Sequence, residues 1–284
     1  MTNRTDSLSV SIAHDETLAN ALHTQSFAEL KARTTEAVRN RPTDARERWL
    51  LYQWLCIDGE WERALKQLQT WARLDPDGEA RAQLHRGLIR SEMFRSEVFA
   101  GRREPGFIDV PPAWVGSLLR ANAKLGDGAV ADADALRREA FEEASSTAGD
   151  SPEMGRYAWL TDSDTRLGPI FEMAVAGGYC WIPFEQIRSI ALTPAGSLTD
   201  LAWRPTTVIL RDATVLKGYV PTRYPGSESG SANIRLARET TWTDVGTTHV
   251  IALGQRTWTT DLGDWGLLEI ANCRFTDEDG DAAF

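Results

Sequence analysis

Residues Asp44–Pro76 read DARERWLLYQWLCIDGEWERALKQLQTWARLDP and carry the clearest structural pattern in the chain. Asp44, with Glu47 three residues later, forms a capping-box pair of the kind that opens a helix. That helix is apolar around most of its circumference, so we expect it to pack between neighbours on two sides. An Asp-Gly pair at Asp58 ends it, and a second helix with an apolar stripe at helical spacing follows.

The pattern occurs twice at a fixed offset. Phe27 and Trp61 are 34 residues apart, and so are Pro42 and Pro76. This period, with an aromatic residue and a closing proline, is the spacing of the tetratricopeptide (TPR) repeat, so Trp61 is predicted to be buried at the signature position. The alternative is an ordinary helical hairpin whose match is a coincidence, because the first copy is degenerate.

Further helical patterns flank this stretch and extend to residue 145. They predict a helical pair over residues 15–40, one long helix over 78–100, and a hairpin of helices over 113–125 and 129–145. Stacked helical pairs of this kind form a solenoid with a concave face.

The hydrophobic period then changes from helical to alternating, across a small and polar stretch at residues 146–155. Beyond it, β-branched and aromatic runs divided by Pro, Gly and Asp predict strands. The predicted strands are Tyr179–Phe184, Arg188–Thr193, Thr206–Arg211, Thr214–Val220, His249–Leu253, Thr257–Asp261 and Leu267–Cys273. Asp212-Ala213 is predicted to be the turn of a hairpin.

These patterns predict an α+β protein, with an N-terminal TPR-like helical-repeat domain followed by a small antiparallel β-rich domain. The predicted segments are a flexible N-terminus at 1–14, the helical domain at 15–146, the β-rich domain at 156–275 and an acidic tail at 276–284.

Composition excludes several classes of function. The formal net charge of −10 argues against a nucleic-acid surface, which needs clustered Lys and Arg. No apolar run reaches the roughly 18 residues needed to span a bilayer, and the N-terminus lacks the pattern of a secretory signal. The three cysteines are odd in number and far apart, which favours free thiols in a reducing cytoplasm.

The run from Thr161 to Arg166 is the main candidate for chemistry. Asp162 and Asp164 could bind a divalent metal or perform acid–base catalysis, but the rest of a calcium loop is missing. We favour a turn in which both side chains cap backbone N–H groups and pair with Arg166. The four histidines, at positions 14, 23, 85 and 249, show no metal-ligand spacing. We therefore predict no catalytic residue, no metal and no cofactor.

Arginines and aromatic residues are interspersed through the second half of the chain. These residue types dominate binding hot spots, but they also form structural ion-pair and cation–π networks, and both interpretations stay open. The candidate partner-binding residues are Trp49, Tyr52, Gln53, Arg188, Arg204, Arg223, Tyr224 and Arg256.

Several longer motifs are spread over nearly the whole chain. They are RxxLxxxLCxxGEWERA at 48–64, DSDTRLGPIFE at 162–172, YCWIPF at 179–184, IRSI at 187–190, DLAWRP at 200–205, PTRYPGS at 221–227 and LGQR at 253–256. In this order they resemble the ImpE/TagJ family, accessory proteins of bacterial type VI secretion systems. The polar N-terminus and Gly155–Tyr157 are not part of the resemblance.

The resemblance implies a cytoplasmic, non-enzymatic protein that binds the N-terminal helix of the sheath subunit TssB and is linked indirectly to the ClpV unfoldase. A helical-repeat groove suits an amphipathic helix as ligand, because it buries one apolar face. Two alternatives remain: a generic TPR-type adaptor or chaperone outside secretion, and a small-ligand-binding protein centred on the C-terminal domain.

Overall fold

A computed structural model describes residues 26–176 and 178–276. The predicted flexible N-terminus, the first helix of the predicted pair over residues 15–40 and the acidic tail beyond Thr276 lie outside the described residues. Within them, the α+β class is confirmed: helices occupy the first half and antiparallel sheets the second.

The described residues form seven α-helices. They are α1 (Phe27–Asn40), α2 (Ala45–Ile57), α3 (Trp61–Leu74), α4 (Gly78–Phe99), α5 (Ala113–Gly126), α6 (Val130–Glu143) and the short α7 (Ala232–Arg235). The predicted start of α2 is confirmed, because the Asp44 carboxylate accepts hydrogen bonds from the N–H groups of Arg46 and Glu47. The reciprocal half of the predicted capping box is wrong, since the Glu47 carboxylate pairs with Arg41 instead. Ser26 and Glu29 complete a reciprocal capping box at the start of α1.

The chain folds as two compact units. One comprises the described residues up to Arg86 together with Ala195–Ala202; the other comprises Gly87–Pro194 and the described residues from Trp203 onward. Helix α4 runs through the division between them. Whether residues 15–146 and 156–275 fold as separate domains stays a prediction.

Helix α2 is the centre of the first unit. Its residues from Leu51 to Ile57 are all buried, because α1, α3 and a short 3-10 helix at Leu198–Leu201 pack against it. The predicted packing on two sides is therefore confirmed. Trp54 is fully enclosed, and its indole N–H donates to Thr34 Oγ1.

Trp61 departs from the prediction, since it is half-buried. The buried residues of α3 are Ala64, Leu68 and Trp71, spaced at i, i+4 and i+7. Trp61 has the spacing of the same face but is the first residue of the helix.

The second unit contains one large sheet and two small ones. The large sheet has nine strands in the order β1-β6-β5-β9-β8-β7-β14-β2-β3, antiparallel except for the β1–β6 pair. The small sheets have the orders β10-β11 and β13-β12-β4. The strands are β1 (Gly106–Phe107), β2 (Gly149–Ser151), β3 (Gly155–Tyr157), β4 (Leu160–Asp162), β5 (Ile170–Val175), β6 (Gly178–Pro183), β7 (Ile187–Leu192), β8 (Trp203–Leu210), β9 (Val215–Pro221), β10 (Thr240–Val245), β11 (His249–Gly254), β12 (Thr257–Thr260), β13 (Gly263–Gly266) and β14 (Asn272–Phe275).

Six of the seven predicted strands are present with small shifts in their ends, and the hairpin turn at Asp212-Ala213 joins β8 to β9. The prediction for Leu267–Cys273 is wrong over most of its length, because β14 begins only at Asn272. Leu267 and Ile270 are buried in the core without belonging to a strand, so their apolar character mimics a strand pattern.

The core of the second unit has two apolar clusters. One is centred on the sheet, with Phe171, Phe184 and Trp258 stacked edge to face. In the other, Trp114 of α5 and Ala140 of α6 pack beside sheet residues. The sheet and these two helices together hold the DSDTR loop that follows β4.

Candidate functional site

The loop from Asp162 to Arg166 forms the predicted turn, in which both Asp side chains accept backbone N–H groups. The predicted pairing with Arg166 is made by Asp164 but is wrong for Asp162, whose carboxylate faces Arg256 instead. Asp162 Oδ1 accepts a hydrogen bond from the Asp164 N–H at 2.9 Å, and Asp164 Oδ1 accepts one from the Arg166 N–H at 3.0 Å. The Arg166 guanidinium pairs with the same Asp164 carboxylate, at 2.5 Å between Nη2 and Oδ2. The Ala252 N–H of β11 also donates to Asp164 Oδ2. Both oxygens of Asp164 are thus engaged within the protein, as the turn interpretation expects.

Tyr224 ties the loop to the neighbouring segments. Its hydroxyl donates to Asp162 Oδ1 at 2.8 Å and accepts a hydrogen bond from the Thr257 N–H at 2.9 Å. It also lies 3.0 Å from the hydroxyl of Ser163. The Tyr224 side chain is 1% exposed, so these bonds are made in the interior.

A buried ion cluster continues from Asp162. The Arg256 Nε lies 3.6 Å from Asp162 Oδ2, and the Arg256 Nη2 pairs with Glu172. Arg95 forms a bidentate ion pair with Glu172. Its Nε donates to Oε2 at 2.8 Å, and its Nη2 donates to Oε1 at 2.5 Å. Tyr179 donates a further hydrogen bond to Glu172. These charges are paired in a low-dielectric interior, where an unpaired charge would be very unfavourable.

Burial changes the ionisation of this cluster. It raises the pKa of Asp162 to about 6, and the positive charge of Arg256 opposes that shift. Burial also lowers the pKa of Arg256 to about 10, so the guanidinium is still charged at neutral pH. The Asp162 Oδ2 atom has no hydrogen-bond partner among the described residues, which leaves its charge less stabilised than that of Asp164.

Most of the predicted partner-binding residues lie in the interior. Tyr52, Gln53, Arg204, Arg223, Tyr224 and Arg256 are buried, Trp49 is half-buried and Arg188 is exposed. The buried arginines hold main-chain carbonyls: Arg204 Nε donates to Thr193 O at 2.6 Å, and Arg223 Nη1 donates to Arg235 O at 2.5 Å. In this conformation only Trp49 and Arg188 can reach a partner directly, and their role in binding stays a prediction.

The structure brings together several residues that the sequence did not single out. An open cleft of about 420 Å³ lies over the DSDTR loop, and it is bounded by Phe141, Trp242, Thr259 and Asp264. Trp242 is 48% exposed, an unusual placement for so large an aromatic residue. In the sequence, the signal that could have pointed to this cleft is a single tryptophan among polar residues, in TTWTD at 240–244.

Within residues 26–176 and 178–276, no group of three or more His, Cys, Asp or Glu side chains is placed to hold a metal ion. Over the same ranges, every helix is too short or too polar to traverse a lipid bilayer.

The fold and the internal charge cluster define an α+β protein in which stacked helices, compatible with a TPR-like arrangement, precede a sheet braced by buried arginines. The chain is 36% identical over 245 residues to the type VI secretion system accessory component TagJ of Pseudomonas aeruginosa, covering 86% of this chain and 85% of that protein. The model of the ImpE protein family matches residues 155–274. The chain therefore belongs to the ImpE/TagJ family of type VI secretion system accessory proteins.

The crystal structure of protein VPA1032 from Vibrio parahaemolyticus has the same fold. Its TM-score is 0.83 at 24% identity, over 92% of this chain and 97% of that one. The family match includes Gly155–Tyr157, which the motifs in the sequence do not.

Proposed function

We propose that this protein is a cytoplasmic, non-enzymatic accessory component of a bacterial type VI secretion system, and that it binds the N-terminal helix of the sheath subunit TssB. The observation that carries the proposal is the 36% identity to TagJ over most of both chains. An indirect link to ClpV, through the bound sheath subunit, belongs to the same proposal.

The first unit offers a surface suited to an amphipathic helix. Trp49 is half-buried, with its ring centroid 4.5 Å from that of Trp71 and 5.1 Å from that of His85. Leu84, the neighbour of His85 in the chain, is 42% exposed. A helix laid in a groove is held by a few apolar anchors of this type. We therefore place the TssB contact in the first unit, with Trp49 as an anchor.

The proposal can be tested with a fluorescein-labelled peptide of the first helix of the cognate TssB, titrated into the full-length protein and followed by anisotropy. We expect a Kd in the micromolar to nanomolar range, about −8 to −12 kcal/mol. Binding through apolar anchors should change little with salt, whereas binding through exposed arginines should weaken as salt is added.

Two variants locate the contact. Trp49→Ala removes an apolar anchor of the first unit and should weaken binding of the peptide. Arg188→Ala removes an exposed charge of the second unit and should leave the affinity unchanged. A scrambled peptide is the control for specificity, and circular dichroism of each variant is the control for folding. Absence of binding to the folded wild-type chain would refute the sheath proposal. Co-purification of ClpV only when TssB is present would support the indirect link.

A further inference from the structure

The cleft over the DSDTR loop has a regular floor. In the three-stranded sheet, Thr259 of β12 is the registered partner of both Asp264 of β13 and Thr161 of β4. Directly opposed residues in antiparallel strands point to the same face, so these three side chains form one row. Leu160 and Trp258, at alternate positions, point into the core instead. The row is therefore a polar surface laid over an apolar interior.

Trp242 forms one wall of the cleft and is held in a fixed orientation. Its indole Nε1–H donates to Ser163 Oγ at 3.1 Å, and Ser163 in turn lies against the hydroxyl of Tyr224. The ring is nevertheless 48% exposed. Because the indole N–H is already bonded, an incoming ligand would meet the aromatic carbons of this ring and not its polar N–H.

Charge selects the class of ligand. The residues that line the cleft include one exposed carboxylate, that of Asp264, and no Lys, Arg or His. Asp162 is paired internally with Arg256, but Asp264 is exposed and accepts a hydrogen bond only from Thr259 Oγ1, at 2.6 Å, among the described residues. No described basic side chain lies within salt-bridge distance of Asp264. A carboxylate that lines the same cleft as an exposed indole ring attracts a cation and repels an anion.

The dimensions fit one long side chain. A cleft of about 420 Å³ is at the small end of ligand sites, and its open mouth admits a side chain that projects from a larger molecule. A guanidinium group is planar, stacks on an aromatic ring and at the same time donates N–H groups to a carboxylate.

We propose that this cleft binds an arginine side chain from a basic segment of a partner protein, with the guanidinium stacked on Trp242 and paired with Asp264. The proposal does not depend on the sheath proposal, since it concerns another surface and a ligand held by charge.

The test uses the full-length protein labelled with ¹⁵N and the probe peptide Ac-Gly-Arg-Gly-NH₂. The indole N–H resonance of Trp242 is assigned by its loss in Trp242→Phe. Addition of the peptide should shift this resonance in a saturable way with a Kd in the millimolar range, because the contact is a single partly exposed pair. The isosteric citrulline peptide, which lacks the charge, should bind several-fold more weakly.

Asp264→Asn should weaken binding of the arginine peptide roughly fivefold, as expected for loss of one exposed ion pair. Asp244→Asn is the matched control, because Asp244 is an exposed carboxylate on the same strand as Trp242 but does not line the cleft. If Asp264→Asn altered the spectrum broadly, a salt titration of the wild type would replace it, and binding should weaken as salt screens the pair.

Equal affinity for the arginine and citrulline peptides would overturn the proposal. So would an affinity for the arginine peptide that changes neither in Asp264→Asn nor with added salt. Methyl β-D-glucoside serves as a neutral stacking probe. If it saturated the Trp242 resonance while the arginine peptide did not, the cleft would be a sugar site and the proposal would be wrong.

Discussion

Two buried polar sites, one in each compact unit, differ in what surrounds them. In the first unit, the Tyr52 hydroxyl and His85 Nδ1 lie 2.9 Å apart among aromatic rings. In the second unit, Glu172 lies between two buried arginines. The first site needs only neutral groups and a single hydrogen bond, whereas the second needs several charges to be placed together.

The two interiors are specified in different ways. Tyr52 and His85 come from helices whose apolar stripes dock by local periodicity, so the site follows from helix packing. Arg95, Glu172 and Arg256 come from distant parts of the chain. Such a cluster forms only after the strands have found their register, and each charge depends on the others.

The largest expected effect is in the apolar interior of the first unit. Trp54→Ala should lower the free energy of unfolding by roughly 3–5 kcal/mol, because the side chain is fully buried and leaves a cavity. Trp61→Ala, at a half-buried position, should cost about 1–2 kcal/mol. Urea unfolding of both variants measures the two losses. A loss for Trp61 as large as for Trp54 would show that the helix start is packed more tightly than the structure indicates.

The second prediction concerns the ion cluster. Glu172→Gln should cost about 3–5 kcal/mol, because it leaves Arg95 and Arg256 buried without their shared carboxylate. Glu142→Gln, at an exposed position on α6, is the matched control and should stay within about 0.5 kcal/mol of the wild type. The same urea titrations report both. If Glu172→Gln cost less than about 1 kcal/mol, the cluster would contribute little and the contrast between the interiors would fail.

The third prediction uses the pH dependence of stability, which differs in sign between the units. Burial lowers the pKa of His85 to about 4, below its unfolded value near 6.5, with the charge of Arg81 adding to the shift. As pH falls, the unfolded chain therefore binds the proton before the folded chain does. The contribution of His85 to the free energy of unfolding is present above pH 6.5 and is lost as pH falls toward 4. For Asp162, whose pKa of about 6 lies above its unfolded value, the contribution is present below about pH 4 and is lost as pH rises through 6.

Each contribution is of the order of 3 kcal/mol, at 1.36 kcal/mol per pKa unit. His85→Asn should remove the fall in the free energy of unfolding that occurs as pH drops from 6.5 toward 4. Asp162→Asn should remove the fall that occurs as pH rises from 4 through 6. The measurement is the difference between each variant and the wild type in urea unfolding at pH 4.5, 5.5 and 6.5, because other groups titrate equally in all three proteins. Parallel profiles for wild type and either variant would contradict the assignment for that residue.

Local sequence patterns are sufficient to predict the helices around Asp44–Pro76, the hairpin at Asp212-Ala213 and the capped DSDTR turn. Helical periodicity, capping and turn chemistry act over a few residues, and for that reason they can be read from the chain alone. Local patterns gave a wrong strand at Leu267–Cys273, where apolar residues are buried in the core without pairing with another strand. They also gave the wrong burial for Trp61, because its burial depends on neighbours beyond its own helix.

Which of the interspersed arginines and aromatic residues are buried depends on long-range packing and cannot be predicted from local sequence. Arg204, Arg223 and Arg256 have the residue type of a binding surface, yet they hold carbonyls and carboxylates in the interior. Trp242 of β10 and Asp264 of β13 belong to different sheets, yet both line the cleft over the DSDTR loop. Side-chain chemistry is fixed by the sequence, but the burial of a charge and the groups it faces depend on strand register, which long-range packing sets.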